Sequence, residues 1–293
     1  MKKRITPFIL TVVMMYAMAA NATAYDEANW FVSVDIQQVR TKVLPLLPDR
    51  NESYQIANTM PEEAQTITLY GHSEVEDDVS MAVTGTFASF SFSDFLNAQL
   101  LRMGEQGKVS LYETTPYQGS LIEQYVFEEK RGDVSIYSAK VNNNLLILSL
   151  HQQEVKNWID QKYSMYDLKN TGLVSLLVNV ESAMAKVGAD LKDHEGPFQS
   201  TLFKKIVQFS ASVYESGDQL SLEASLGTAD ADSAKQMEQV INGLIAMNAL
   251  SDIDKDKPVL AALMAGLNIS NHGHELLIST GLPFALLSEI DVD

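Results

Sequence analysis

Residues 206–250 read IVQFSASVYESGDQLSLEASLGTADADSAKQMEQVINGLIAMNAL, and this stretch decides the fold. Apolar and polar residues alternate on both sides of Glu215–Asp218, a spacing typical of two half-buried strands. The apolar positions are Val207, Phe209, Ala211 and Val213, then Leu220, Leu222, Ala224 and Leu226. Glu215–Asp218 contains a glycine and has the length of a hairpin turn. The stretch therefore begins with an antiparallel hairpin.

The same stretch ends with a helix. Thr228 and Asp230 have side-chain oxygens that can accept hydrogen bonds from the exposed amides of a helix start. Apolar residues then recur at three- and four-residue intervals, which places them on one side of a helix. They are Ala234, Met237, Val240, Ile241, Leu244 and Ile245. The unit is strand, turn, strand, helix.

An earlier part of the chain repeats this unit. Ile67–Gly85 alternates in the same way about an acidic turn, and Ser93 is placed to cap a following helix. A closing strand and helix follow in both halves, from Leu145–Leu150 and from Leu276–Thr280. The sequence predicts an α+β fold of two tandem repeats, residues 25–162 and 172–293, each an antiparallel sheet with helices packed on one face.

Two boundaries in this scheme depend on local signals. Residues 162–171 have neither strand nor helix spacing, so the division between the repeats is predicted there. Within the first repeat, Thr115-Pro116 is interpreted as a turn between two strands because proline interrupts strand pairing.

The first 24 residues have the features of a bacterial secretory signal peptide. Lys2, Lys3 and Arg4 precede an apolar run, and Ala22-Thr23-Ala24 matches the small-x-small pattern of a cleavage site. We expect cleavage before Tyr25. No later apolar run approaches the roughly 20 residues needed to cross a bilayer, and no cysteine is available for lipid attachment. A periplasmic or secreted protein without an integral membrane segment is the expected product.

The net negative charge of the chain limits the kinds of molecule that it is expected to bind. The formal net charge is −17, and loss of three positive residues with the signal peptide would make it −20. Such a balance opposes binding to nucleic acid or to anionic lipid. The acidic surface has two interpretations: a solvated surface that maintains solubility, or a docking surface for a basic partner or divalent cations.

Motifs for catalysis and for cofactors are missing from the sequence. There is no Gly-x-Ser-x-Gly nucleophile elbow, no His-Glu-x-x-His pair, no phosphate-binding glycine loop and no cysteine nucleophile. No catalytic residue and no cofactor is predicted. A hydrolase whose site is assembled in space stays an alternative, with His72 or His274 beside a serine and an aspartate.

One histidine pair is a weak candidate for a metal site. His272 and His274 would point to the same side of a strand and could bind zinc, but the sequence supplies no third ligand. Asn271 and Gly273 offer the other interpretation, in which the segment is a turn.

The side of each hairpin opposite the apolar positions carries small and polar residues. In the first repeat these are Tyr70, His72, Ser80, Ala82 and Thr84, and in the second Ser210, Ser212, Ser221, Glu223 and Ser225. We expect both faces to be open to solvent, either as uncovered sheet or as platforms for a partner.

These features together predict a non-catalytic binding or assembly protein of the periplasm, acting on another envelope protein. A carrier or chaperone for an apolar ligand or lipoprotein is the first alternative to this function, and the hydrolase is the second. The carrier would need a cavity between the sheet and its helices.

Overall fold

The structure, a computed structural model, describes residues 28, 30–46, 61–71, 79–103, 108–128, 134–162, 172–180, 205–249 and 258–289. The described residues contain twelve β-strands in antiparallel sheet and five α-helices. The predicted α+β class is confirmed. The predicted signal peptide with its cleavage site, His72 and residues 163–171 of the predicted boundary lie outside the described residues.

The chain divides into two compact units. The first consists mainly of Ser33–Leu44 and Asp49–Leu168, and the second mainly of Lys169–Asp293. The first strand, β1 (Trp30–Asp35), is divided between them. It continues into a short α1 (Ile36–Gln38), whose start is capped by the Asp35 carboxylate accepting from the Gln38 amide at 2.8 Å.

Six antiparallel strands lie wholly within the described residues of the first unit. In chain order its elements are β2 (Ala64–Gly71), β3 (Val79–Gly85), α2 (Phe92–Met103), β4 (Lys108–Tyr117), β5 (Ser120–Glu128), β6 (Val134–Asn142), β7 (Leu145–Ser149) and α3 (Gln152–Ile159). Its strands pair in the order β2-β3-β7-β6-β5-β4. The hairpin predicted at residues 67–85 is β2–β3.

Two local predictions in the first unit are wrong. Thr115-Pro116 is part of β4, which is the last strand in the order, where a missing amide donor breaks no ladder on its outer side. The turn follows at Gln118 and Gly119, both with positive φ, as a two-residue hairpin loop requires. Helix α2 begins at Phe92, and Ser91 rather than Ser93 accepts a hydrogen bond from the Asp94 amide at 3.4 Å.

Helix α2 covers one face of the first sheet. Phe92 and Leu96 are buried in a core with Ile67 of β2, Val83 of β3 and Leu146 of β7. Asn97 on this helix binds the edge strand, because its side-chain amide donates to the Val109 carbonyl and accepts from the Val109 amide, both at 3.1 Å. The carboxamide thus satisfies backbone groups that an edge strand leaves unpaired.

Helix α3 covers the opposite face of the same sheet. Its buried Trp158 contacts Tyr70, which points away from Ile67 and Leu69 because side chains alternate along β2. The prediction that helices lie on one face is therefore wrong for the first unit. Val155 and Trp158 form an apolar surface on α3 that is buried against this second face, together with Ile147 of β7.

The described residues of the second unit contain five strands. Its elements are β8 (Val174–Asn179), β9 (Ile206–Ser216), β10 (Gln219–Thr228), α4 (Ala231–Ala249), α5 (Pro258–Ala265), β11 (Asn268–His272), β12 (Glu275–Pro283) and a final 3-10 helix (Phe284–Glu289). The strands pair in the order β8-β9-β10-β12-β11. The hairpin and helix predicted from residues 206–250 are β9, β10 and α4.

Helices α4 and α5 lie on the same side of the sheet of the second unit. Met237 of α4 is buried with Leu226 and Leu276. Thr280, whose neighbour across the ladder is Leu222, donates a 2.5 Å hydrogen bond to the Leu263 carbonyl of α5. The predicted cap of α4 is confirmed, since the Asp230 carboxylate accepts from the Ser233 amide at 2.7 Å.

Candidate functional site

Each unit places a tyrosine and a serine opposite each other on its hairpin. Tyr70 of β2 is paired with Ser80 of β3, and Tyr214 of β9 is paired with Ser221 of β10. The strand that carries the serine also pairs with a later strand in each unit. In the first unit β3 pairs with β7, and in the second unit β10 pairs with β12. Both tyrosines lie on the face opposite the first helix, α2 or α4. These two positions can therefore be compared directly.

In the first unit this face is buried beneath α3. Tyr70 and Ala82 are each 0% exposed, and Ser80 is 2% exposed. The Tyr70 hydroxyl accepts a 2.7 Å hydrogen bond from the Trp158 indole, and the hydroxyls of Ser80 and Ser149 are hydrogen-bonded at 2.7 Å. The prediction that Tyr70, Ser80 and Ala82 lie on an open face is wrong, because all three are buried and Trp158 of α3 packs on Tyr70. Thr84, nearer the end of β3, is half-buried.

In the second unit the corresponding face has no described helix on it. We call it the serine face and define it by Ser210, Ser212, Tyr214, Ser221, Glu223, Ser225, Glu275 and Leu277. Glu223 and Glu275 are exposed, Leu277 is 38% exposed, and Ser210, Ser212, Tyr214 and Ser225 are half-buried. Ser221 is 9% exposed. Glu223 is therefore open to solvent, whereas the prediction of an open position is wrong at Ser221, which is buried.

Hydrogen bonds orient both carboxylates of the serine face. The Tyr214 hydroxyl donates to Glu223, and the Ser225 hydroxyl donates to Glu275. The hydrogen bond to Glu223 raises the pKa of Tyr214, with desolvation and the carboxylate charge adding to it. Tyr214 therefore stays a protonated donor at neutral pH and holds Glu223 in one orientation.

The face has a uniform charge sign. None of the five strands of the second unit contains lysine or arginine, and Glu215, Glu223 and Glu275 are their acidic residues. A side chain docking on Glu223 or Glu275 therefore meets no lysine or arginine from these strands. The arrangement suits recognition of a basic group.

The histidine pair does not have the geometry that a strand would give it. Strand β11 ends at His272, Gly273 and His274 form the turn, and His272 is paired with Glu275. The two side chains are therefore not successive on one face of a strand. Within the described residues, no group of three or more histidine, cysteine, aspartate or glutamate side chains is placed to hold a metal ion.

A cleft of about 440 Å³ in the first unit is the described cavity most relevant to a carrier function. Its lining is almost entirely polar: Gln37, Arg40, Thr41, Glu62, Glu63, Ala64, Gln65 and Thr86. Arg40 donates to the Pro61 carbonyl at 3.2 Å. Of the helices in the described ranges, none is long and apolar enough to cross a membrane.

Sequence reasoning missed Tyr214 and the role of Trp158. Tyr214 lies two residues after Ser212 and therefore on the same face, so the alternation contained the signal. Trp158 lies in the helix predicted after Leu145–Leu150, but the face that this helix covers is decided by a contact 88 residues away in the chain. No local pattern encodes that choice.

Comparison with known proteins gives no family. No protein-family model matches this chain, and no curated protein matches it. Among solved structures, the chain is similar to TP0453 in three crystal forms. Form III is 9% identical with a TM-score of 0.43, covering 92% of this chain and 98% of that one. Form IV is 8% identical with a TM-score of 0.47, covering 91% and 93%. Form I is 8% identical with a TM-score of 0.39, covering 92% and 96%. Similarity at this level carries no functional assignment.

Proposed function

We propose that this chain is an exported, non-catalytic binding protein that docks another envelope protein on its serine face. One observation carries the proposal. The face around Tyr70 and Ser80 is covered by α3, whereas no described helix covers the face around Tyr214 and Ser221. A docking surface must be accessible before the partner arrives, and Glu223 and Leu277 meet that condition.

We further propose that the two units arose by duplication of one ancestral unit. Two features support this proposal. In each unit the second strand of the hairpin pairs with a later strand of the same unit, and in each hairpin a tyrosine is paired with a serine. After a duplication, the same face can be used differently in the two units. In the first unit it packs against α3 of the same chain, and in the second unit it is available to a partner protein. The second copy is then free to change its surface charge without loss of the first copy's core.

The proposed compartment rests on the amino terminus. Lys2, Lys3 and Arg4, the apolar run and Ala22-Thr23-Ala24 support export with cleavage before Tyr25. The absence of cysteine means that the fold does not depend on disulfides in an oxidising compartment. We therefore place the partner among proteins of the periplasm or of the envelope surfaces that face it.

In-cell photocrosslinking tests this function. A photoreactive benzoylphenylalanine replaces Tyr214 in the full chain, expressed in its native host and irradiated. The matched control carries the same group in place of Tyr112, which is 71% exposed on β4 of the first unit. We expect position 214 to give a discrete protein adduct that position 112 does not give, and Glu223→Lys to remove it. No adduct at position 214, or the same adduct at both positions, would contradict the proposed function.

A further inference from the structure

We infer that the partner segment on the serine face is a cationic amphipathic helix that presents an aromatic residue to Tyr214 and a basic residue to Glu223. This inference rests on the proposed function and specifies its partner. It follows from a comparison of the two faces, because α3 packs on the Tyr70 face, whereas no helix of the described residues packs on the serine face.

Helix α3 shows how a helix fits this kind of face. Its buried residues are Glu154, Val155, Asn157 and Trp158, which lie together on one side at helical spacing. The Trp158 ring approaches the Tyr70 ring edge-on, with centroids 5.9 Å apart, and its indole nitrogen donates to the Tyr70 hydroxyl. One aromatic residue thus supplies both apolar contact and a hydrogen bond to the tyrosine.

The serine face keeps the tyrosine. Tyr214 has the position relative to Ser221 that Tyr70 has relative to Ser80, but it is half-buried rather than fully buried. Leu277, two residues after Glu275 on the neighbouring strand, offers 38% of its surface for an apolar contact. An aromatic side chain can therefore pack between these groups in the manner of Trp158.

The serine face differs from the Tyr70 face in charge. Two residues beyond the serine, the first unit has Ala82, paired with Thr68, and the second unit has Glu223, paired with Ser212. The Tyr214 hydroxyl donates to Glu223, so a helix whose aromatic residue contacts Tyr214 as Trp158 contacts Tyr70 would lie beside Glu223. Burying an unpaired carboxylate is strongly unfavourable, whereas a basic residue facing Glu223 offsets that cost.

The charge argument also decides between occupants. The α3 helix of a second copy has Glu154 on its buried side, which would bring another carboxylate onto an acidic face. An anionic lipid surface is repelled for the same reason. A helix with lysine or arginine beside its aromatic residue satisfies both Tyr214 and Glu223, and it is the occupant that we assign.

Designed peptides test the inference on the full chain without its predicted signal peptide. The probe is a fluorescent peptide of about 16 residues, long enough to be helical with alanine-rich flanks. It contains the sequence of Gln152–Ile159 with Glu154→Arg. One comparison peptide retains Glu154, and a second carries Trp158→Ala together with Glu154→Arg. Fluorescence anisotropy gives the affinity of each.

We expect the arginine peptide to bind at least about tenfold more tightly than either comparison peptide, in a salt-dependent manner. Glu223→Lys in the protein should weaken binding by about tenfold or more, since it replaces attraction with repulsion. The matched control Glu113→Lys makes the same charge change on β4 of the first unit and should leave binding unchanged. Equal binding of the arginine and glutamate peptides, or no effect of Glu223→Lys, would overturn the inference.

Failure of the inference is distinguishable from failure of the proposed function. The photocrosslinked adduct at position 214 is digested and the crosslinked partner segment is sequenced. A basic, helix-forming segment with an aromatic residue supports the inference. An extended or acidic segment overturns it and leaves the docking function intact, whereas the absence of any adduct removes the docking function itself.

Discussion

The indole nitrogen of Trp158 donates a 2.7 Å hydrogen bond to the hydroxyl of Tyr70, and this contact joins α3 to β2 in the interior of the first unit. Both side chains are almost fully buried. The contact keeps the polar groups of two large aromatic residues satisfied while their rings exclude water. It is also the structural reason that one tyrosine-bearing face is closed.

Removing Trp158 should therefore strongly destabilise the first unit. Trp158→Ala deletes a large buried side chain and leaves Tyr70 without this donor, and we expect a loss of about 3–5 kcal/mol in unfolding free energy. Trp158→Phe retains much of the packing and should cost distinctly less. Urea denaturation of the three proteins checks the order. Equal stability of Trp158→Ala and the parent chain would contradict burial beneath α3.

Two buried serines on the first sheet should respond in opposite ways to alanine. The hydroxyl of Ser138 is buried and, within the described part of the chain, has no hydrogen-bond partner. Ser138→Ala should be neutral or stabilising by up to about 1 kcal/mol, because an unpaired buried hydroxyl is costly. Ser80→Ala removes a partner from Ser149 and should cost about 1–2 kcal/mol. The denaturation midpoints of the two variants test this prediction. A loss of stability in Ser138→Ala as large as that in Ser80→Ala would contradict it.

The cap of α4 should make stability depend on acid pH. Hydrogen bonds from the Ser233 hydroxyl and amide hold the pKa of Asp230 below its ordinary value. A carboxyl with a lowered folded-state pKa stabilises the fold above its unfolded pKa, about 3.9, and this contribution is lost as pH falls through the lower folded value. Asp230→Ala should thus be less stable than the parent at neutral pH, with the difference shrinking in acid. A difference that is independent of pH would show that the Asp230 charge contributes nothing.

Tyr214 on the serine face should lose its proton at a higher pH than a free phenol does, because its pKa is raised. Because its hydrogen bond to Glu223 is the largest cause of the raised pKa of Tyr214, Glu223→Gln should lower that pKa toward the ordinary value. Ultraviolet difference titration against a Tyr214→Phe variant isolates this one tyrosine. An unchanged pKa after Glu223→Gln would mean that the hydrogen bond does not form in solution.

The proposed export has a direct readout at the amino terminus. We expect protein isolated from its native host to begin at Tyr25, because signal peptidase cleaves after small residues such as Ala22 and Ala24. Amino-terminal sequencing checks this. Recovery of the chain with Met1 retained would contradict the proposed compartment and the choice of partner made from it.

The strands were the part of the fold that sequence predicted well. Phe209, Ala211 and Val213 lie on one face of β9 because a strand alternates its side chains strictly, and this spacing survives any tertiary arrangement. The turn after β4 was misplaced because Pro116 normally interrupts pairing. An outermost strand tolerates proline, and whether a strand is outermost depends on topology rather than on local sequence.

The candidate site was predicted only in part. The polarity of the two faces follows from alternation, and Glu223 and Ser212 were placed correctly on one side. Local sequence patterns could not predict which of the two faces packs against a helix, because the Tyr70–Trp158 contact joins residues 88 positions apart in the chain. The pairs Tyr70–Ser80 and Tyr214–Ser221 have the same residue types, so the sequence predicted the same environment for both faces. In the structure Tyr70 is buried and Tyr214 is half-buried.

The most direct test of the docking function uses the absence of cysteine, which makes any introduced thiol unique. Ser212→Cys reports on the serine face, and Asn242→Cys on the exposed surface of α4 is the control. Labelling by a small maleimide is compared between purified protein and intact cells of the native host. We predict that Cys at position 212 reacts readily when purified and at least about tenfold more slowly in cells, as occlusion of a large fraction of the face by a partner requires, while position 242 reacts equally in both. Equal reactivity of position 212 in cells and in solution would contradict docking on the serine face.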